Sequence, residues 1–171
     1  MSSEEKEKLF TEVFKENKDR IFRLCYTSLN NKADVDDLFQ EVMTNVWRSL
    51  ESFRNDSKIS TWIYRITVNS AFLFNKRYKT KSGRFQNFEH HELEEIHGGS
   101  NHFEKNLDED LQNLQKAIAQ LSKQDRIIIG LFLEEMSYDE IAEVVGISRN
   151  YVGVKINRIK TALAKTMGGL E

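Results

Sequence analysis

A chain of 171 residues, 39% hydrophobic and 30% charged, suffices for one ordinary domain or two small ones and has the composition of a soluble globular protein. No apolar run approaches the roughly 20 residues of a bilayer-spanning helix, and the charged start MSSEEKEKLF lacks the apolar stretch of an export signal, so the expected location is the cytoplasm, without membrane insertion. The net charge of −2 conceals an uneven layout: residues 1–84 hold 16 Lys/Arg against 12 Asp/Glu, residues 85–115 hold 1 against 8, and residues 116–171 hold 8 against 7. Two mildly basic blocks around an acidic one predict two domains and a linker, with boundaries at 1–81, 82–106 and 107–171.

Apolar residues recur at i, i+3 and i+4, and no convincing run alternates with period two, which predicts an all-α fold. The first helix is expected from about Glu4 to Leu29, with Phe10, Phe14, Ile21, Leu24 and Cys25 inward. Cys25, the only cysteine, cannot form an internal disulfide and suits a small buried hydrophobe. Asn30, Asn31 and Lys32 make a turn, and a second helix runs from Asp34 to about Phe53 with Val35, Leu38, Val42, Val46 and Leu50 inward. Its other side presents Asp36, Asp37, Gln40, Glu41 and Thr44, a polar, acidic face left for a partner, with Asp37 where acids favour a helix start.

FRNDSKIS is a polar break, after which Ser60 or Thr61 is expected to cap a third helix. Its stripe of Trp62, Ile66 and Leu73 passes through Asn69, and it ends in the basic run NKRYKTK. Trp47 and Trp62 sit at core spacing, which favours core packing over base stacking. In RFQNFEHHELEEIHGGSNHFEKN the periodicity lapses, marking the linker. Its His90, His91, His97 and His102 suit zinc chemically, but without cysteines or the spacing of a closed site no metal or other cofactor is expected. Periodicity resumes at Leu107, Leu111, Leu114, Ile118 and Leu121, and Ser122 with Asp125 looks like a capping box before DRIIIGLFLEE. Four helices complete the second domain.

The stretch MSYDEIAEVVGISRNYVGVKINRIK, Met136 to Lys160, is the most informative. Ser137 and Glu140 form a capping box for a short helix with Ile141, Ala142 and Val145 inward, Gly146 ends it, and Ile147 plugs the space before Ser148 starts a longer helix. There Val152, Ile156, Ile159 and Leu163 repeat at 4, 3 and 4. Short helix, glycine turn and longer helix make a helix-turn-helix, whose second helix enters the DNA major groove by its N-terminal residues. The side opposite its core stripe presents Asn150, Tyr151, Val154, Asn157 and Arg158, with Arg149 and Lys155 at the borders. Asparagine and arginine bond base edges, Val154 or Tyr151 suits a thymine methyl, and Lys155 suits a phosphate. Many basic helix faces are only solvated, but two spaced caps, the turn and the polar face together are more specific than a basic cluster. Gly153 stands out, since mid-helix glycine costs about 1 kcal/mol relative to alanine; it suits close approach to the DNA backbone or to the preceding helix.

The helix-turn-helix alone leaves repressors, response regulators and sigma factors open. DVDDLFQEVMTNVWRSLESF, Asp34 to Phe53, followed by STWIYRITVN, Ser60 to Asn69, resembles the polymerase-binding and promoter-melting segments of bacterial sigma factors. With Leu121 to Lys160 the resemblance is to the small, two-domain extracytoplasmic-function (ECF) group of the sigma-70 family, over nearly all the chain outside Phe85 to Asn106. Two departures are mild: LSKQ stands where the family often has a proline after the leucine, and Gly153 follows Val152 where a polar residue is common.

The resemblance implies a transcription initiation subunit that binds core RNA polymerase, by Asp36, Asp37, Gln40 and Glu41 to the β′ clamp helices and by the C-terminal domain to the β flap. It implies recognition of an upstream promoter element by Arg149, Asn150, Tyr151, Val154, Lys155 and Arg158. Asn55, Asp56, Ser57 and Lys58 would hold an extruded base of the downstream element, with Arg65, Asn69, Lys76 and Arg77 on phosphates or upstream pairs. The acidic linker would run through the polymerase's RNA path, and an anti-sigma factor is a further implied partner. No nucleophile motif or phosphate-cradling glycine loop suggests an enzyme. Two rivals stand beside this reading: a free-standing helix-turn-helix repressor or activator with an N-terminal sensor or dimerisation domain, and an interaction module of anti-sigma type.

Overall fold

The computed structural model describes residues 1–82 and 105–168, with side chains for 1–74 and 108–168. The described residues form helices and no strand, as the periodicity predicts: α1 (Ser3–Ser28), α2 (Val35–Ser49), α3 (Ile59–Ser82), α4 (Lys105–Ala119), α5 (Lys123–Leu133), α6 (Tyr138–Val145) and α7 (Arg149–Gly168). Single 3-10 turns, Lys32–Asp34 and Leu50–Ser52, flank α2. No described helix is long and apolar enough to cross a membrane. The predicted linker, His90, His91, His97 and His102 included, lies almost wholly outside the described residues.

A capping box starts α1: Ser2 Oγ accepts from Glu5 N, and Ser2 N donates to Glu5 Oε2 at 2.7 Å. The helix buries Val13, Ile21, Leu24 and Cys25, and burial pushes the Cys25 thiol up to about 12. At its far end Lys32 Nζ donates back to the carbonyls of Tyr26 and, at 2.7 Å, Leu29, satisfying acceptors that the helix terminus leaves open. Along α2, Val35, Leu38, Val42 and Val46, with Leu50 just after it, are buried as spaced. The groove between α1 and α2 is filled by rings: Phe10 meets Trp47 edge-on at 5.3 Å and Phe22 meets Phe39 at 5.6 Å.

The third helix corrects two expectations. It begins at Ile59, with Trp62 N donating to the Lys58 carbonyl at 3.1 Å, so Ser60 and Thr61 lie in its first turn and do not cap it. The buried set is Thr61, Ile63, Tyr64, Thr67, Val68, Ser70 and Ala71, while Asn69 is exposed and Leu73 is 52% exposed. The predicted stripe is therefore rotated. The cause is tertiary: α3 packs against α1, α2 and α6, so its buried surface wraps round the helix, and small hydroxyl residues serve where the neighbours approach. Their polar groups are satisfied locally, Thr67 Oγ1 donating to the Ile63 carbonyl at 2.9 Å and Asn45 Nδ2 to Ser70 Oγ at 3.0 Å.

Leu111 on α4 is 48% exposed against expectation, whereas Ala117 and Ile118 are buried. Ser122 caps α5 by accepting from Asp125 N at 3.2 Å, but the Asp125 carboxylate accepts from Lys155 Nζ, so this is a single cap and not the expected capping box. Ile127, Ile128, Ile129 and Leu131 are all buried, because α5 lies among α1, α6 and α7. Gly130 lets α1 come close, since a Cβ there would sit 3.0 Å from Leu24 Cδ1 and 3.3 Å from Thr27 Cγ2. Buried Arg126 donates to the Leu121 carbonyl at 2.8 Å and to the Ser28 carbonyl at 3.5 Å, joining two helix ends. One apolar cluster runs from Val13, Leu38 and Ile63 to Ile127, Ile141 and Ile156, so α1–α3 and α4–α7 share a core.

Candidate nucleic-acid interface

The helix-turn-helix is built as its sequence dictates. Ser137 and Glu140 make the reciprocal capping box of α6, and burial of Ile141 and Val144 fixes its inner side, whereas Ala142 and Val145, expected inward, are only half-buried because the inner side is turned toward Val144. Gly146 closes the helix in the left-handed region (φ 78°), where a side chain is strained, and Gly146 N and Ile147 N both donate to the Ala142 carbonyl, at 2.9 and 3.2 Å. Ser148 Oγ then accepts from Tyr151 N at 3.1 Å, starting α7. Burial of Val152, Ile156, Ile159 and Leu163 turns Asn150, Tyr151, Val154, Asn157 and Arg158 to the outside. Tyr151 and Val154 are 41% and 43% exposed, an apolar pair on an otherwise polar face. Gly153 faces α6: a Cβ there would meet the Tyr138 ring at 3.5 Å, an ordinary contact.

The two border cations differ. Arg149 pairs at 3.3 Å with Asp139, both largely exposed. Lys155 is half-buried, its Nζ 2.9 Å from Asp125 Oδ1, and that hydrogen bond holds its pKa above the usual lysine value. A phosphate at Lys155 therefore competes with Asp125.

The candidate melting residues occupy the break before α3 and its first turns. Asn55 takes the left-handed region (φ 58°), which asparagine tolerates better than most residues, and Asn55, Asp56 and Lys58 are exposed while Ser57 is half-buried. Lys58 Nζ lies 3.6 Å from Glu140 Oε1, and the Arg65 guanidinium bonds both the side chain and the carbonyl of Glu143, at 3.2 and 3.3 Å. Asn69 is exposed one turn on. Lys76 and Arg77 continue α3, but their side chains lie outside those described. Trp62 meets Phe53, which ends the preceding turn, at 5.1 Å with the rings tilted by 47°. On α2, Asp36, Asp37 and Gln40 are exposed beside half-buried Glu41, and Thr44 Oγ1 turns back to donate to the Gln40 carbonyl at 2.8 Å.

Sequence reasoning missed one polar cluster. Glu134, at the C-terminal end of α5, is 8% exposed and accepts from Arg23 Nε at 2.7 Å, Arg23 Nη2 at 2.9 Å and Arg20 Nε at 3.3 Å, while Arg20 Nη2 donates to its backbone carbonyl. Burial pushes its pKa up, but the Arg23 and then the Arg20 contacts outweigh that and hold it below the usual carboxylate value. The only sequence signal is a pair of acids, Glu134 and Glu135, at the end of an apolar run, which does not single out Glu134, and partners more than a hundred residues away leave none.

Comparison with known proteins places this geometry. The chain matches the profile of Sigma-70 region 2 over residues 13–79 and that of Sigma-70, region 4 over residues 111–163. It is 30% identical over 170 residues to the ECF RNA polymerase sigma factor SigW of Bacillus subtilis (strain 168), covering 94% of this chain and 90% of the relative. It is 34% identical over 145 residues to the ECF RNA polymerase sigma-E factor of Escherichia coli (strain K12), covering 77% and 72%. The fold is that of the sigma factor RpoE solved with the anti-sigma factor NepR from Bartonella quintana (TM-score 0.76, 19% identity, 94% of this chain and 98% of that one). CnrH, solved with the cytosolic domain of CnrY, is also similar (TM-score 0.67, 19% identity, 95% and 90%). A capped helix-turn-helix behind an α-helical unit with an acidic second helix, matched region by region, belongs to the ECF RNA polymerase sigma factors of the sigma-70 family.

Proposed function

We propose that this sigma factor binds core RNA polymerase through Asp36, Asp37, Gln40 and Glu41, reads an upstream promoter element with α7, and opens a downstream element with the break before α3. The observation that carries this is the outer face of α7, where side chains able to read bases are exposed and the apolar Tyr151 and Val154 stand in solvent. In this reading Arg149, Asn150, Tyr151 and Val154 meet base edges and Arg158 and Lys155 meet phosphates. Asn55, Asp56, Ser57 and Lys58 receive the extruded base, while Arg65, Asn69, Lys76 and Arg77 hold phosphates or upstream base pairs. The division into 1–81, 82–106 and 107–171 then separates downstream recognition, linker and upstream recognition.

The chain acts in the cytoplasm and catalyses nothing itself, chemistry belonging to the polymerase. The β flap is the docking site of the C-terminal unit, and an anti-sigma factor is a further partner, supported by two structural neighbours having been solved with one. Reconstituted transcription with core polymerase on a genomic fragment library, with start sites sequenced, tests the reading. Start sites sharing two upstream motifs are expected. Tight, selective duplex binding by the protein alone, with no directed initiation, would replace it with the repressor-type alternative.

A further inference from the structure

The turn between α5 and α6, the first turns of α3 and Arg20 of α1 enclose a cavity of about 260 Å³, open to solvent on one side. A single ordered water needs only about 10–15 Å³ of such space, so the cavity has room for a small molecule. Tyr64 lines it; the residue is 2% exposed, and its buried hydroxyl has no hydrogen-bond partner. Leaving a buried polar group unpaired is costly, so one that persists calls for a partner from outside the chain. Burial raises the Tyr64 pKa above the usual tyrosine value, which keeps the phenol protonated and able to donate at neutral pH. Ser60 and Thr61 line the same space from the start of α3, where the first backbone N–H groups have no acceptor within the helix and the helix dipole is positive.

The charged groups of the wall balance: Arg20 and Lys58 are cations, Glu135 and Glu140 are acids. A ligand of one sign would meet two like charges there, whereas a ligand carrying both signs finds a partner for each. Among the described residues no cluster of acids, histidines or cysteine suits a metal ion. Two of the four charges are committed elsewhere, since Arg20 bonds Glu134 and Glu140 accepts from Ser137 N at 2.9 Å. The other two are available: Lys58 is held loosely, 3.6 Å from Glu140, and exposed Glu135 has no ion pair among the described residues. Glu135 also holds φ 62°, a conformation costly for a residue other than glycine. We infer that this cavity binds a free α-amino acid, its carboxylate taken by Lys58, the Tyr64 hydroxyl and the start of α3, and its ammonium by Glu135. The inference does not depend on the promoter assignment.

The test titrates the full chain, without polymerase, with each common L-amino acid to millimolar concentration while amide resonances and the melting temperature are followed. At least one is expected to shift the amides of Ser60, Thr61, Tyr64 and Glu135 and, at about ten times its Kd, to raise the melting temperature by about 3–5 °C. Its N-acetyl and α-carboxamide derivatives, which keep one charge each, should bind about tenfold more weakly or worse. Tyr64→Phe removes one oxygen that has no partner in the chain and Glu135→Gln alters an exposed side chain, so both variants should fold. Each should weaken binding by about tenfold or more. No binding by any free amino acid, shifts confined to other residues, or parental affinity in either variant would overturn the inference. Equal affinity for the free and derivatised forms would overturn it as well, since the site would then read a single charge or none. Directed initiation plays no part in this readout, so its loss in the fragment-library assay would count against the sigma-factor reading alone.

Discussion

The outer faces of α7 and of the start of α3 carry similar side chains in opposite situations. On α7, Asn150, Tyr151, Asn157 and Arg158 project into solvent and only the border cations Arg149 and Lys155 meet acids, Asp139 and Asp125, while both Lys58 and Arg65 at α3 are engaged by acids from α6. The first face is set by local rules: two caps, one left-handed glycine and a core stripe at 4, 3 and 4 orient it wherever the helix lies. The second depends on how the two helical sets dock. Upstream recognition is thus built into one element, whereas access to the melting surface is a property of the whole molecule.

The comparison breaks first if docking is incidental. Leu24 is 1% exposed and touches Gly130 across the α1/α5 contact, so Leu24→Ala should cost about 2–5 kcal/mol. Because the core is continuous, the loss should lower one cooperative urea transition, seen alike by fluorescence of Trp47 and Trp62, both in the N-terminal set, and by far-ultraviolet circular dichroism. Two separated transitions, with only the fluorescence one shifted, would show that the sets fold independently.

Acid should act next, through Glu134. The groups facing it are Arg20 and Arg23, with Tyr64 close enough to feel its charge, and the arginines hold its pKa below the ordinary 4.5. A carboxylate depressed in the folded state contributes stability that is fully present above its unfolded pKa and is lost as pH falls through the folded one. The stability gap between the parent and Glu134→Gln should therefore be constant from neutral pH down to about 5 and shrink below 4.5, read as urea midpoints at each pH. A gap with no pH dependence below 4.5 would mean that Glu134 contributes by shape and not charge.

The contrast also marks what one sequence reveals. Val35, Leu38, Val42 and Val46 on α2, and Val152, Ile156, Ile159 and Leu163 on α7, were legible because each helix has one dominant inner side. On α3 the signal failed: contact with three helices buries Thr67, Ser70 and Ala71, and a search for large apolar residues selects Leu73, which faces out. Leu111 misled in the same way. At the candidate site, the α7 face was visible from spacing, but the pairing of Lys58, Arg65 and Lys155 was not, since charge partners distant in sequence follow from docking.

On α7 itself the expected effects separate base from phosphate contacts. Asn150→Ala should cost about 1–3 kcal/mol in holoenzyme binding and relax preference at one promoter position, whereas Arg158→Ala should weaken all sequences alike and flatten the salt dependence. Start-site libraries made with each variant check this. The same motif change from both would merge the two roles and weaken the claim that this face is specified residue by residue.

The smallest expected effect concerns Gly153, where the open and the packed sides of α7 meet. Mid-helix glycine leaves the unfolded chain more freedom to lose, a cost of about 1 kcal/mol relative to alanine. The site does not need that freedom: Gly153 lies inside α7, its φ is not in the left-handed region, and an added Cβ would rest at 3.5 Å from the Tyr138 ring. Gly153→Ala should therefore stabilise the protein by about 0.4–1 kcal/mol, raising the melting temperature by about 1–4 °C for a chain of this size. Promoter affinity should be unchanged, because the new methyl points to α6 and away from the face holding Asn150 and Val154. Differential scanning calorimetry and holoenzyme binding to one promoter duplex decide the matter together. Higher stability with lost affinity would mean that DNA comes close to the backbone at Gly153, and the inner border of the recognition face would move by one residue.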